Sequence, residues 1–345
     1  MVQTGLFISG GAANHTSYAS RYVAALALAA TPPFNLSSSP YHVNSIVLQS
    51  IAADDQPAAL YNTAISHAIS GAKAASIPLF VGTIIPHSSQ DKYCSQVVLN
   101  ATYVAAVVKA SAAAARAFVQ RYGPVHDGWY VTHETFLNFF GEGCHASAFG
   151  RHLSAVEVAA GYAQMLQSWT KALDDVTPGL PILWSPAAPE SPRRSRPAAA
   201  KYAAALATSL RTVAAAAPLI TNLTIQDSVG KASNVSNGTV RYAVGCDDAL
   251  FHANVAREAM PRTNIAINME IFLRAGQRVP PSSIVDLPAD PRETEQRAVC
   301  YVSHGFAIGP SWEMGYWYRQ LTEEWALPSP HALDAPVHAH RRLVK

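Results

Sequence analysis

Eight short apolar runs, separated by stretches of helix-forming composition, set the tightest limit on what this chain can fold into. The runs are Gly5–Ser9, Asn44–Gln49, Pro78–Ile84, Asp127–Thr132, Pro181–Ser185, Asn222–Gln226, Asn264–Met269 and Gly305–Gly309. Each has the length of a strand. Most are apolar throughout rather than alternating, as expected where protein covers both faces of a sheet. Between them lie Pro57–Ala75, Val97–Tyr122, Ser154–Leu173, Ala198–Ala216, Asp247–Glu258 and Pro291–Val302, helical in composition. Ser154 followed by Glu157 is a capping box that marks one helix start. Strand–helix units joined by right-handed crossovers make neighbouring strands parallel. Eight of them predict an α/β fold of the (β/α)8 TIM-barrel type, one domain over 1–330 with extended βα loops, and 331–345 as a basic, flexible tail. A doubly wound open sheet is the alternative. It usually brings a Gly-rich nucleotide turn, and neither G-x-G-x-x-G nor G-x-x-x-x-G-K-[ST] occurs.

Composition removes several classes of function. The chain has 345 residues, 25 basic against 23 acidic, for a net charge of +2. That balance leaves no electrostatic footprint for a nucleic-acid partner. With 49% hydrophobic and 14% charged residues, a disordered chain is excluded. No apolar run approaches the roughly 18–20 residues of a membrane span, and nothing in the sequence sets an oligomeric state. Sequons stand at Asn14, Asn35, Asn100, Asn222, Asn234 and Asn237. At this Ser/Thr content about two are expected by chance. The excess predicts a secretory-pathway glycoprotein, secreted or in the lysosomal lumen. Val23–Ala30 superficially resembles the apolar core of a leader but follows a predicted strand, so it reads as helix or loop. A leader, if the protein is secreted, is expected to have been lost.

Barrel chemistry sits at the C-terminal ends of the strands. There the fourth run ends in His133-Glu134, the sixth in Gln226-Asp227 and the seventh in Asn268-Met269-Glu270. Three carboxylates at one end of a weakly charged protein are the sharpest functional signal in the chain. The plainer alternative for each is a cap or an acceptor of loop amides. Glycoside hydrolysis needs two carboxyl groups, one to protonate the leaving oxygen and one to attack or stabilise the anomeric carbon. Trp129, Tyr130, Trp184 and Trp312 are aromatic candidates for stacking on sugar C–H faces, although core packing is the commoner fate of any one of them. His133, His145 and His152 show no H-E-x-x-H or similar spacing, so no metal is expected, and no cofactor is implied. A serine hydrolase would show G-x-S-x-G, which is absent.

Three stretches resemble a known family. Gly128-Trp129-Tyr130 running into Glu134, Gln226-Asp227-Ser228-Val229-Gly230, and Asn268-Met269-Glu270-Ile271-Phe272 resemble the uncharacterised glycosidase-like TIM-barrel family known as domain of unknown function 4434. That family is similar in layout to clan A glycoside hydrolases, whose acid/base follows strand four and whose nucleophile follows strand seven. The resemblance implies a retaining O-glycoside hydrolase acting on a carbohydrate, with Glu134 as acid/base and Glu270 as nucleophile. It further implies that Asp227 binds or orients sugar. Gln226, Asn268 and His133 are further substrate-site candidates, His133 as an orienting partner for a carboxylate. The chain departs from clan A in carrying His133 where those enzymes usually have Asn. A carbohydrate-binding or cell-surface glycoprotein on a barrel without catalysis is the alternative function.

Cys94, Cys144, Cys246 and Cys300 allow two disulfides or four free thiols. On a barrel, Cys94 and Cys144 fall in adjacent loops of one face, within bridging reach. Cys246 near one helix start and Cys300 near another helix end are expected at opposite barrel ends, which makes that pair the less secure of the two under the roughly 7 Å Cα limit.

Overall fold

Hydrogen bonding gathers the apolar runs into a single nine-stranded sheet. Its members are β1 Val2–Ile8, β2 Tyr41–Leu48, β3 Leu79–Gly82, β4 Gly128–Val131, β5 Ile182–Trp184, β6 Ile220–Gln226, β7 Asn264–Asn268, β8 Ala307–Ile308 and β9 Pro310–Ser311. The computed structural model describes residues 2–8, 41–86, 92–146, 149–188, 196–229, 233–236, 239–242, 244–270, 272–279, 283–288 and 291–311. Every pairing in this sheet is parallel, and neighbours follow sequence order from β1 to β8. The eighth stave is split. Ala307 and Ile308 pair with Ala266 and Ile267 of β7, while Pro310 and Ser311 pair with Gly5 and Leu6 of β1. One short stretch thus closes the sheet on itself, and a closed eight-stave barrel has no exposed edge. Gly309 sits at the split and donates its N–H to Ile267 O at 2.7 Å; a Cβ there would lie 2.7 Å from the Thr224 methyl.

From Ser45 of β2 through β5, the strands are largely buried on both faces, as their unbroken apolar character requires. Val47, Phe80, Tyr130 and Leu183 form a separate cluster, the barrel interior on the β2–β5 side. Ile46, Leu48, Leu79, Val81, Trp129, Val131, Ile182, Trp184, Leu223 and Ile225 alternate with these and join the larger core beneath the helices. That outer layer comprises α1 Asn62–Ala75, α2 Ala101–Tyr122, α3 Ala155–Asp174, α4 Arg196–Ala216, α5 Cys246–Ala259 and α6 Pro291–Ser303, one after each of β2 to β7. The Ser154–Glu157 capping box at the start of α3 is formed in both directions. The helix expected from Val97 breaks at Asn100, whose side chain accepts from the Tyr103 N–H and so caps α2. Asparagine competes for backbone donors in this way, which is why it favours caps over helix interiors.

Length and composition alone let α2 pass as a membrane span, with a hydropathy of 1.3 over its best window, because alanine is mildly apolar. This qualifies the sequence reading that no such stretch exists. In the fold α2 is a crossover helix whose Val107, Ala114, Ala115 and Phe118 are buried against the barrel.

Two structures in the βα loops were not foreseen. Cys144–Ala146 pairs antiparallel with Arg151–Leu153 after β4. After β6 and β7, two hairpins join into a four-stranded sheet in the order Thr239–Tyr242, Ser233–Ser236, Phe272–Val279, Ser283–Pro288. The junction is the parallel pair Val235 and Ala275. Each of these segments pairs with another loop segment that the barrel brings beside it.

Both disulfides form. Cys94–Cys144 and Cys246–Cys300 each have a Cα–Cα distance of 6.5 Å. The second overturns the expectation that its cysteines lie at opposite barrel ends. The third turn of α6, rather than its first, stands beside the first residue of α5.

Candidate active site

The polar residues gather where the apolar alternation ends. Continuing inward from Val47 and Tyr130 lead Gln49 and, past a turn, Glu134. The turn is marked by a bond from Glu134 N to Thr132 O at 3.1 Å. Gln49 donates its side-chain amide to Glu134 Oε1 at 3.4 Å. The close approach of β2 and β3 that permits this depends on Gly82, where a Cβ would stand 2.1 Å from Gln49 O. Pairing continues beyond the formal strand ends: Ala187 N bonds Thr135 O at 2.7 Å and Leu137 N bonds Ala187 O at 2.9 Å. Glu134 therefore sits on hydrogen-bonded backbone and is half-buried.

Gln226 and Asn268 belong to one buried polar layer with Ser185. Gln226 Nε2 donates to Ser185 O at 3.0 Å, Asn268 Nδ2 reaches Ser185 Oγ at 3.4 Å, and Ser185 Oγ donates to Thr224 O at 2.8 Å. Tyr130 lies below this layer, inside the barrel.

Glu270 follows the end of β7 and is only 1% exposed. Its backbone is held at both ends. The N–H donates to Asp227 Oδ1 at 3.0 Å, and the C=O accepts from Arg297 Nη2 at 2.8 Å. Asp227 is fully buried and its two oxygens are occupied. Oδ1 also accepts from Val229 N at 3.3 Å, while Oδ2 meets Arg297 Nη1 and accepts from Tyr301 Oη at 3.0 Å. Arg297 Nε faces Glu293 at 2.6 Å. Burial by itself would lower the Arg297 pKa, but Asp227 and Glu293 outweigh it and hold the guanidinium charged well above its ordinary range. Burial, then Asp227, pushes the Tyr301 hydroxyl well up, so it stays a donor. Arg297 and Tyr301 were missed by sequence reasoning. Glu293, Arg297 and Tyr301 do recur at spacing four on α6, one helix face, but nothing in the sequence says that this face meets β6 and β7.

Other candidates lie away from the mouth. Trp129 is on the helix side of β4, against Phe118 of α2 and His126, and donates its indole N–H to Thr177 Oγ1 at 2.6 Å. Trp184 is likewise on the helix side, next to Phe140, and donates to His133 O at 3.2 Å. His133 turns outward between Tyr162 and Trp169 of α3, and burial pushes its pKa down to about 4. His145 and His152 are cross-strand partners in the β4 hairpin. Among the described residues, no three His, Cys, Asp or Glu gather to hold a metal. Trp312 lies outside the described residues.

No family model and no curated protein matches the chain, so the resemblance to the uncharacterised family rests on its three motifs. Solved structures do match. A Bacteroides thetaiotaomicron protein assigned as an alpha-L-fucosidase has a TM-score of 0.59 at 11% identity, over 99% of this chain and 92% of that one. A beta-galactosidase from the psychrophilic Marinomonas ef1 gives 0.52 at 9% identity, over 91% of this chain and 54% of that one. An intracellular xylanase from Thermoanaerobacterium saccharolyticum gives 0.50 at 10%, over 90% and 85%. At such identities what is shared is architecture. The chain is an α/β protein with the (β/α)8 barrel fold on which these glycoside hydrolases are built.

Proposed function

We propose that this protein is an O-glycoside hydrolase with Glu134 as acid/base and Glu270 as nucleophile. The observation that carries the reading is the pair of glutamates following β4 and β7, Glu134 held at its carboxylate by Gln49 and Glu270 held at its backbone N–H by Asp227. Strand spacing supports a retaining course. Strands about 4.8 Å apart and tilted about 36° close into a circle of roughly 7–8 Å radius. Positions three strands apart on it are about 14 Å across, and two inward glutamates, each reaching about 4–5 Å, leave about 5 Å between carboxyls. That is the separation at which a carboxylate attacks directly, without an intervening water. Gln226 and Asn268, their amide nitrogens bonded to Ser185, form the floor of the sugar site in this reading. Asp227 orients Glu270, its oxygens being already taken. The β4 position preceding Glu134 does not contribute a ligand in this reading, since His133 faces the helices.

Aryl α-L-fucosides, β-D-xylosides and β-D-galactosides form the first substrate panel, after the activities named for the similar structures. The expected result is turnover of one class, lowered about 10³-fold or more by Glu270→Gln and by Glu134→Gln on a substrate with a poor leaving group. Unchanged turnover in either variant removes the role assigned to that residue. No turnover by the unaltered protein on a broad glycan panel removes the enzyme reading and leaves a carbohydrate-binding protein.

Two disulfides and six sequons support a secretory-pathway glycoprotein, because such bonds persist in oxidising compartments. Expressed through a eukaryotic secretory route, the protein is expected to lose apparent mass on enzymatic removal of N-glycans. An unshifted band, with four titratable thiols, would count against that compartment.

A further inference from the structure

We propose that the buried Asp227–Arg297 pair, with Tyr301, is a positioning device that aims Glu270, resting on the reading of Glu270 as nucleophile. Each partner of the ion pair holds one backbone group of the same residue. Asp227 takes the Glu270 N–H and Arg297 takes the Glu270 C=O. The peptide planes on both sides of the Glu270 Cα are thereby fixed, and with them the direction in which its side chain leaves the backbone.

Holding α6 against the barrel does not require this arrangement. Burying two charges is costly, and well-packed apolar side chains commonly do the same mechanical work equally well. What an apolar pair cannot supply is a fixed acceptor for the Glu270 N–H and a fixed donor to its C=O. The guanidinium supplies the geometry: one nitrogen meets Asp227 Oδ2, a second bonds Glu270 O, and Nε meets Glu293. A lysine ammonium has no such planar fork. Tyr301, one turn further along α6, fixes Asp227 Oδ2 from a second direction. The neighbouring Cys300 is bonded to Cys246 at the start of α5, which anchors the turn that carries Tyr301. The cluster thus links β6, β7 and α6 at the point where Glu270 leaves β7. Catalytic groups need placement to within about 0.5 Å, and a misplacement of about 1 Å costs about 10²-fold in rate.

Three variants test this on the responsive aryl glycoside. Arg297→Lys keeps the charge and is expected to lower kcat about 10–100-fold with KM changed less than about twofold. Tyr301→Phe is expected to lower kcat in the same direction but less. Asp227→Leu combined with Arg297→Met removes both charges, preserves cooperative unfolding, and is expected to lower kcat by about 10²-fold or more. In that double variant the Glu270 amide is also expected to exchange hydrogen faster in peptide-resolved deuterium exchange. If Arg297→Lys and the double variant keep kcat within about twofold of the unaltered protein while only thermal stability changes, the cluster is a structural tie and the proposal falls. Should the double variant fail to fold, Arg297→Lys decides alone. Glu270→Gln run alongside separates the two levels. Loss of turnover there, with kcat kept in the Arg297 variants, overturns the positioning role only. Turnover kept in Glu270→Gln, or none in the unaltered protein, overturns the nucleophile reading and the positioning role with it.

Discussion

Arg297→Met as a single substitution is expected to cost about 3–5 kcal/mol of folding stability. Arg297 and Asp227 are 4% and 0% exposed, and methionine would leave the Asp227 carboxylate buried with its cation gone. Tyr301 and two backbone N–H groups would still donate to it, but neutral donors do not replace a charge. Adding Asp227→Leu should recover part of the loss, because removing both charges of a buried pair is far cheaper than breaking it. Urea unfolding followed by tryptophan fluorescence measures both. A loss below about 1 kcal/mol for the single variant would show that the pair is solvated or dispensable.

Acidification from pH 7 to pH 5 is expected to destabilise the protein steeply. Burial pushes His126, His133 and His252 down to about 4. His126 stacks by Phe118 and Trp129, and His133 by Tyr162 and Trp169. His252 links α5 to α4, with Nε2 meeting Tyr202 Oη at 3.0 Å and Nδ1 meeting Asp248 O at 2.8 Å. Those partners suit a neutral ring that donates from Nδ1 and accepts at Nε2. The folded pKa values lie below the unfolded value of about 6.5, so the unfolded chain takes up protons that the folded one refuses. Above about pH 6.5 the three rings are neutral in both states and change nothing. Between about 6.5 and 4 each removes up to about 1.4 kcal/mol per pH unit, roughly 4 kcal/mol per unit together at the steepest. That compares with a whole stability of about 5–15 kcal/mol. The melting temperature at pH 7, 6 and 5 checks it, and a flat profile over that interval would contradict it. His133→Leu should flatten the profile by about a third.

The barrel was legible because its signal is local and repeated. Each apolar run needs cover on both faces wherever it sits, and β1 to β8 fall within the eight runs or overlap them by most of their length, while β9 lies just past the eighth run and the loop strands lie outside all of them. The capping box at Ser154 was legible for the same reason: cap and partner are three residues apart. The site was legible in part. Glu134, Gln226, Asp227, Asn268 and Glu270 could be named because the C-terminal ends of barrel strands converge by construction. Trp129, Trp184 and His133 were named on adjacency to Glu134 or on chemistry, and the two-residue period of a strand turns all three toward the helices. Gln49 was overlooked because it closes β2 with no acidic neighbour to draw notice.

The sequence by itself determined the fold class, the order of the strands and which end of the barrel carries acids. Those follow from periodicity, helix propensity and the handedness of crossovers, and each acts over a few tens of residues. The tertiary structure alone decided which polar groups meet. Arg297 reaches Asp227 across 70 residues and Glu270 across 27, and Cys246 reaches Cys300 across 54. No local pattern encodes such meetings. They arise when apolar burial has fixed the helix against the barrel, and a buried charge must then find its partner there.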